Sequence, residues 1–263
     1  MRIRILLVLT CILISGVSPV KAERIKISKI ASFNQGKIET IDKETGKILW
    51  QEVHTYRTGM DKGRKYLLVN IEGNGYYDGS EEPLKWNVES YYFIDPYIVP
   101  YYSTKQIFSA DDKLREVTTM YYDFEDMNAY LTRTDMTNGQ TTKRTIGIQE
   151  DAVDRYIIGV VCISYPFEEK RDIDMHYVTD DPKMYSVTLS YIGEESVTVP
   201  AGTFACHKLE LEMNLGLLSP IEIFIPHFYY YVSDTQFIKY DGLESGFGTS
   251  DVIIQLAEKA VEK

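Results

Sequence analysis

Four histidines, His54, His176, His207 and His227, are the side chains best suited to metal binding or proton transfer. No two stand i, i+4 on a helical run or i, i+2 on a strand-like run, the short intervals that aim two ligands at one ion. Cys206 and His207 are neighbours in a strand-like run, so their side chains point to opposite faces. His176 with Asp174, Asp180 and Asp181 is the densest oxygen-rich group, yet it lacks the regular spacing and bend glycine of a calcium loop. It reads as a solvated acidic loop, and neither a metal nor a cofactor is expected.

Acid–base chemistry fares no better. Glu81-Glu82, Glu168-Glu169 and Glu194-Glu195 are adjacent in loops, whereas a glycosidase sets two acids across a cleft. No serine sits in a Gly-x-Ser-x-Gly elbow. Gly242–Gly248 is rich in glycine, but no Lys-Ser or Lys-Thr follows and it opens a strand rather than a helix, so it reads as a turn. No catalytic residue is assigned, and the chain is read as a non-enzyme. The remaining chemistry is aromatic. The chain holds 21 tyrosines, many of them paired, as at Tyr76-Tyr77, Tyr91-Tyr92-Phe93, Tyr101-Tyr102, Tyr121-Tyr122 and Tyr229-Tyr230-Tyr231. On a strand, consecutive rings face opposite sides. One enters the core or lines a cavity, and the other can stack on a sugar or a partner.

Strands must therefore position these rings. Runs rich in Tyr, Ile, Val and Thr are separated by polar turns at Asp42–Lys47, Asp61–Arg64, Ala110–Lys113 and Asp135–Gly139. Short strands joined by Asn, Asp and Gly turns predict an antiparallel meander. The expected fold class is mainly β, a curved antiparallel sheet or open barrel with one packed α-helix.

Glu194–Met213 is the clearest unit. Met184–Ile192 and Ser196–Val199 read as strands around Gly193-Glu194-Glu195, and Ala205–Met213 alternates Leu209, Leu211 and Met213 with Lys208, Glu210 and Glu212. Between them lies a structural turn. Pro200 fixes φ, Gly202 can take a positive φ, Thr203 can bond back to the backbone, and Phe204 returns the chain to the core.

One stretch departs from period two. In Asp151–Ile163, Val153, Tyr156, Ile157, Val160, Val161 and Ser164 share a side at helical spacing, with Asp151 as cap and Pro166 beyond the end. This predicts an amphipathic helix. The β-branched run Ile157–Ser164 leaves a buried strand as the alternative. Gly216–Ile225 is apolar for a connector, and Pro220 and Pro226 bracket its second half. It is an edge strand or a flap over an apolar cavity. Ala257–Lys263 reads as a frayed helical tail.

The start of the chain concerns address. Basic Met1–Arg4, an apolar run from Ile5 to Ile14 and Val20-Lys21-Ala22 describe a secretory signal cleaved after Ala22. The run is too short to span a bilayer, which takes about 20 apolar residues. Residues 1–22 are thus expected to be a signal peptide and 23–263 a single β-rich domain exported to the periplasm, with no transmembrane segment. Loss of Arg2, Arg4 and Lys21 leaves 25 cations against 39 acids, a net of −14. Such a surface repels phosphate backbones, which argues against nucleic-acid binding. Two cysteines remain, Cys162 and Cys206. An oxidising compartment allows a bridge between them, and two partly buried free thiols are the alternative.

The order of the second half resembles a known family. Tyr185-Ser186-Val187-Thr188-Leu189, then Val199-Pro200-Ala201-Gly202-Thr203-Phe204-Ala205-Cys206-His207-Lys208-Leu209, then Tyr230-Tyr231-Val232-Ser233-Asp234 and a closing strand are similar to the domain-of-unknown-function 3108 family of exported bacterial proteins. The likeness covers roughly Asp151–Leu256. The Pro-Ala-Gly-Thr-Phe turn is also similar to that of the lipoprotein carriers LolA and LolB. The resemblance implies a periplasmic sheet curved around a helix or an apolar cavity, and it implies no reaction. The expected function is a non-catalytic protein that holds a lipid, an acyl chain or a lipidated partner. A cell-envelope interaction module and a glycan-acting enzyme are the alternatives.

Overall fold

A computed structural model describes residues 24–26, 34–76, 80–214, 227–244 and 249–259. Residues 1–22, expected to be a signal peptide, the apolar run Gly216–Ile225 and residues 245–248 lie outside them. Among the described residues no helix is long and apolar enough to cross a membrane.

The first arm is a meander of eight strands: β1 (Asn34–Asp42), β2 (Ile48–Asp61), β3 (Arg64–Gly75), β4 (Leu84–Ile94), β5 (Ile98–Ser109), β6 (Leu114–Asp123), β7 (Asn128–Asp135) and β8 (Thr141–Gly147). Then come β9 (Ala152–Asp154), α1 (Ile158–Ile163), β10 (Ile173–Val178), β11 (Met184–Val199), β12 (Gly202–Met213), β13 (Phe228–Val232), β14 (Phe237–Leu243) and β15 (Asp251–Glu258). All fifteen strands join one sheet, in the order β8-β7-β6-β5-β4-β3-β2-β1-β15-β14-β13-β12-β11-β10-β9. The pairing is antiparallel except for β9 on β10, which is parallel.

The expected curved antiparallel sheet is thus observed, and it does not close into a barrel. It rolls instead. Its β9 end tucks inside the curve and lies against β5. Met120, Tyr122, Ala129 and Leu131 of β6 and β7 pack there on Ala152 and Val178 of β9 and β10. Side-chain packing, rather than a backbone ladder, joins the two ends.

Period two decides which face is inward. In β4, Trp86, Val88, Ser90, Tyr92 and Ile94 are buried, while Lys85, Asn87, Glu89, Tyr91 and Phe93 look outward. Gly73 of β3 pairs with Trp86, and a Cβ there would come within 2.1 Å of the indole, so only glycine lets the ring lie flat on the sheet.

Several expectations are corrected. Asp151–Ile163 is not one helix. Ala152–Asp154 forms a strand, a turn follows, and only Ile158–Ile163 is helical. The Asp154 carboxylate accepts the Tyr156 N–H at 3.1 Å, which starts the turn and stops the strand. Ile158, Val160, Val161, Cys162 and Ile163 are all buried, so α1 has no solvent face and is not amphipathic. The segment from Met184 to Val199 is one strand with a bulge between Tyr191 and Gly193, not two strands around a loop. Asp174 and His176 belong to β10 rather than to a loop. Gly242 lies within β14, its Cβ position filled by the rings of Tyr240 and Phe228. At the tail, Ala257 and Glu258 extend β15.

The β11–β12 hairpin has Pro200-Ala201 as its turn, and Gly202 takes φ +130°. Thr203 bonds the Thr198 hydroxyl at 3.0 Å rather than the backbone. Phe204, with Val197, Val199 and Cys206, forms a second apolar cluster with Ile38 and Leu256. Cys162 lies in the main cluster, and both thiols are free. The two sulfurs thus sit in different clusters, as the free thiols that were the alternative to a bridge.

Candidate functional site

The roll encloses a cavity of about 690 Å³. Its walls come from β1–β7 on one arm, from β9 and α1, and from β10–β15 on the other. Trp86, Val88, Ile107, Ile158, Leu211 and Phe228 make an apolar side. Ile71, Met120, Val187 and Ile254 extend that side, and a polar side faces it, where the resemblance implied an apolar cavity. Glu52, Lys105, Glu116 and Arg133 of the first arm bring charge to that lining.

The polar side has two knots. On β2, Glu52, His54 and Tyr56 alternate inward. Glu52 accepts the Trp86 indole N–H at 2.9 Å and meets His54 Nε2 at 3.2 Å, while His54 Nδ1 meets the Tyr56 hydroxyl at 3.4 Å. Burial pushes Glu52 up, but its hydrogen bonds with His54 and Trp86 outweigh it and hold the carboxyl below the usual range. Tyr56 is pushed well up, by burial first and by Glu52 second.

The second knot sits where the ends of the sheet overlap. Asp154, at the end of β9, accepts the Tyr92 hydroxyl at 2.6 Å and the Tyr122 hydroxyl at 3.2 Å. Burial dominates there and raises its carboxyl to about 6, against the pull of both tyrosines. Asp180, after β10, accepts from Arg155 at 3.1 Å and from Lys105 of β5 at 3.4 Å. Burial would raise Asp180 too, but Arg155 and then Lys105 hold it at about 2. Two neighbouring carboxyls are thus driven apart by the number of cations each faces.

The residues singled out in the sequence scatter. His176 pairs with Asp151 at 2.8 Å, Asp174 accepts the Thr188 hydroxyl at 2.6 Å, and Asp181 pairs with Arg144. Glu194 and Glu195 face His207 and Lys208, at 3.8 Å each. Pro200, Gly202, Thr203 and Phe204 build the hairpin tip and do not line the cavity. Among the described residues no three His, Cys, Asp or Glu side chains are placed to hold a metal. Sequence reading missed Glu52, Lys105, Asp154, Arg155 and Asp180 as a group. Lys105 gave the one visible signal, a charge at an inward position between Ser103 and Ile107.

Comparisons with known proteins add the following. Among curated proteins none matches. Two solved structures are similar at low scores. One is described as an exported protein with a YmcC-like fold from Bacteroides fragilis, with 10% identity and a TM-score of 0.34. The other is described as a lipoprotein from Parabacteroides distasonis, with 10% identity and a TM-score of 0.30. Each comparison covers 90% of this chain and 100% of the other. Scores that low carry no functional argument. The family profile is firmer: it matches residues 70–234, reaching back into the first arm and ending before β15. With well over half of its length matched, the chain belongs to the family described as protein of unknown function, DUF3108.

Proposed function

We propose that this is an exported, non-catalytic binding protein that carries one amphipathic molecule, such as a lipid or a single acyl chain with a polar head, inside the rolled sheet. The observation that carries the reading is the 690 Å³ cavity with an apolar wall facing a buried polar knot. Enclosed sites with apolar walls and a few fixed polar groups are where small molecules bind. The apolar side offers its area to a chain, and the Asp180–Arg155–Lys105 group offers hydrogen bonds to a head. A signal-like start agrees with export.

The test is native mass spectrometry of the protein purified from its own envelope, followed by solvent extraction. The expected result is a lipid or acyl adduct lost on denaturation. Ile107→Trp, which fills the cavity from β5, should reduce the adduct at least several-fold while the fold is kept. A clean apo mass from repeated preparations would sink the reading and favour an envelope interaction module.

One observation favours a second reading. A carboxyl raised to about 6 beside one lowered to about 2 is the pattern of an acid–base pair. Both Asp154 oxygens are engaged by Tyr92, Tyr122 and the Tyr156 N–H, which is why the pair ranks behind the binding role. Turnover of an envelope glycan abolished by Asp154→Asn would reverse that ranking.

A further inference from the structure

The outer face of the first arm carries a band of aromatic rings at one level across five strands. Tyr66 of β3 lies 6.3 Å from Tyr91 of β4, Phe93 of β4 lies 5.2 Å from Tyr101 of β5, and Tyr101 lies 5.6 Å from Tyr121 of β6. Tyr130 of β7 is the cross-strand partner of Tyr121. A bulge in β5 turns Tyr101 outward beside Tyr102. The last three rings, Tyr101, Tyr121 and Tyr130, are 44%, 40% and 38% exposed.

Five other rings are covered by the chain's own cations. Arg64 lies 3.5 Å over Phe93, Lys170 5.0 Å over Tyr191, Lys208 4.3 Å over Tyr229, Lys239 5.3 Å over Tyr231, and Lys259 4.8 Å over Phe204. Among the described residues no lysine or arginine lies over Tyr101, Tyr121 or Tyr130. Lys143 of β8, on the same face, stands opposite Thr132 in the ladder. The charges beside Tyr121 are acidic. Asp123 stands two residues beyond Tyr121 on the same face, with Glu125 after it. The Tyr121 phenol is raised, by burial first and then by Asp123.

We propose that Tyr101, Tyr121 and Tyr130 form a docking surface for lysine and arginine side chains of an extended basic segment in a partner protein. Ring faces attract cations, nearby carboxylates strengthen the pull, and the net charge of −11 steers a basic partner toward the molecule. Arg64 on Phe93, at the end of the same band, shows in cis the contact that the open rings would make in trans. Interfaces favour this chemistry, being enriched in tyrosine and arginine.

Fluorescence anisotropy tests it, with a labelled peptide of alternating arginine and serine as the probe. The same peptide with citrulline in place of arginine keeps the shape and removes the charge. Tyr→Leu at all three positions should weaken binding on the order of tenfold, as three exposed cation–π contacts imply. Tyr→Phe at all three should retain it, and the citrulline peptide should not bind. Tyr121→Lys, which supplies a cation in cis, should block the band without touching the core. Equal binding by the citrulline peptide, or unchanged binding by both the leucine and the lysine variants, overturns the proposal. So does displacement of the peptide by a neutral glucan at matched concentration, which would assign the band to sugars instead.

Discussion

At the scale of single residues, the cavity turns on how many cations each carboxyl meets. Asp154 is held by two phenols, and burial raises its pKa to about 6; Asp180 faces Arg155 and Lys105, and its pKa falls to about 2. The signs fix opposite pH dependences. Between the ordinary value of 3.8 and about 6, the folded chain holds a proton on Asp154 that the unfolded chain has lost. Its contribution is therefore fully present below the ordinary value and is lost as pH rises through about 6. Wild type should gain about 1 kcal/mol over Asp154→Asn when chemical denaturation is moved from pH 7 to pH 5. An identical pH trend in both proteins would refute the raised carboxyl. Asp180 behaves in the reverse sense: its contribution is lost as pH falls from 3.8 toward about 2. Asp180→Ala leaves Lys105 and Arg155 facing each other and should cost about 3 kcal/mol at neutral pH. Lys105→Met keeps the Arg155 pair and should cost less. Little of this was legible in the sequence. Asp180 stood out only as part of an acidic run that dispersed, and Asp154 lies between Asp151 and Arg155 with nothing to mark it off. Their meaning depends on β5 meeting β9, a contact between distant segments that no local pattern encodes.

At the scale of elements, period two was readable and its interruptions were not. The polar turns of the first arm and the Pro200-Ala201 hairpin lie where the sequence set them, because turn chemistry is local. β9 and α1 were merged because Ile157–Ser164 is apolar on every side. A helix buried all round carries no stripe to distinguish it from a strand. β4 has its own marker in Trp86, which lies on Gly73 of β3. Gly73→Ala should push the indole off the sheet and cost about 1–3 kcal/mol, read as a lowered midpoint in urea. An unchanged midpoint would mean that Trp86 repacks freely, and that the hydrogen bond to Glu52 does not hold it in place.

At the scale of the molecule, the sequence specified a curved sheet but not the way it ends. Fifteen strands with one inward face must curl, since a twisted sheet of that width buries its apolar side only by rolling. Whether the last strand meets the first through backbone or through side chains depends on a single parallel pairing, β9 on β10, and on the arms' charged pairs. Lys105–Asp180 and Arg144–Asp181 tie one arm to the other there.

That overlap has a mechanical meaning. The bore of a closed barrel is fixed in steps, because strand number and register stagger are integers. A scroll has no such quantum: its flap can slide by fractions of a strand width, trading one side-chain contact for another while every ladder stays paired. On the proposed binding role, the interior should therefore fit ligands of graded girth rather than one size. Straight, branched and doubled acyl chains of equal carbon number should bind within about tenfold of one another, near the 1.4 kcal/mol that a few side-chain contacts supply. Cross-linking β5 to β9 through an introduced cysteine pair should restrict binding to the slimmest chain, and unchanged binding of all three after cross-linking would show that the bore is rigid.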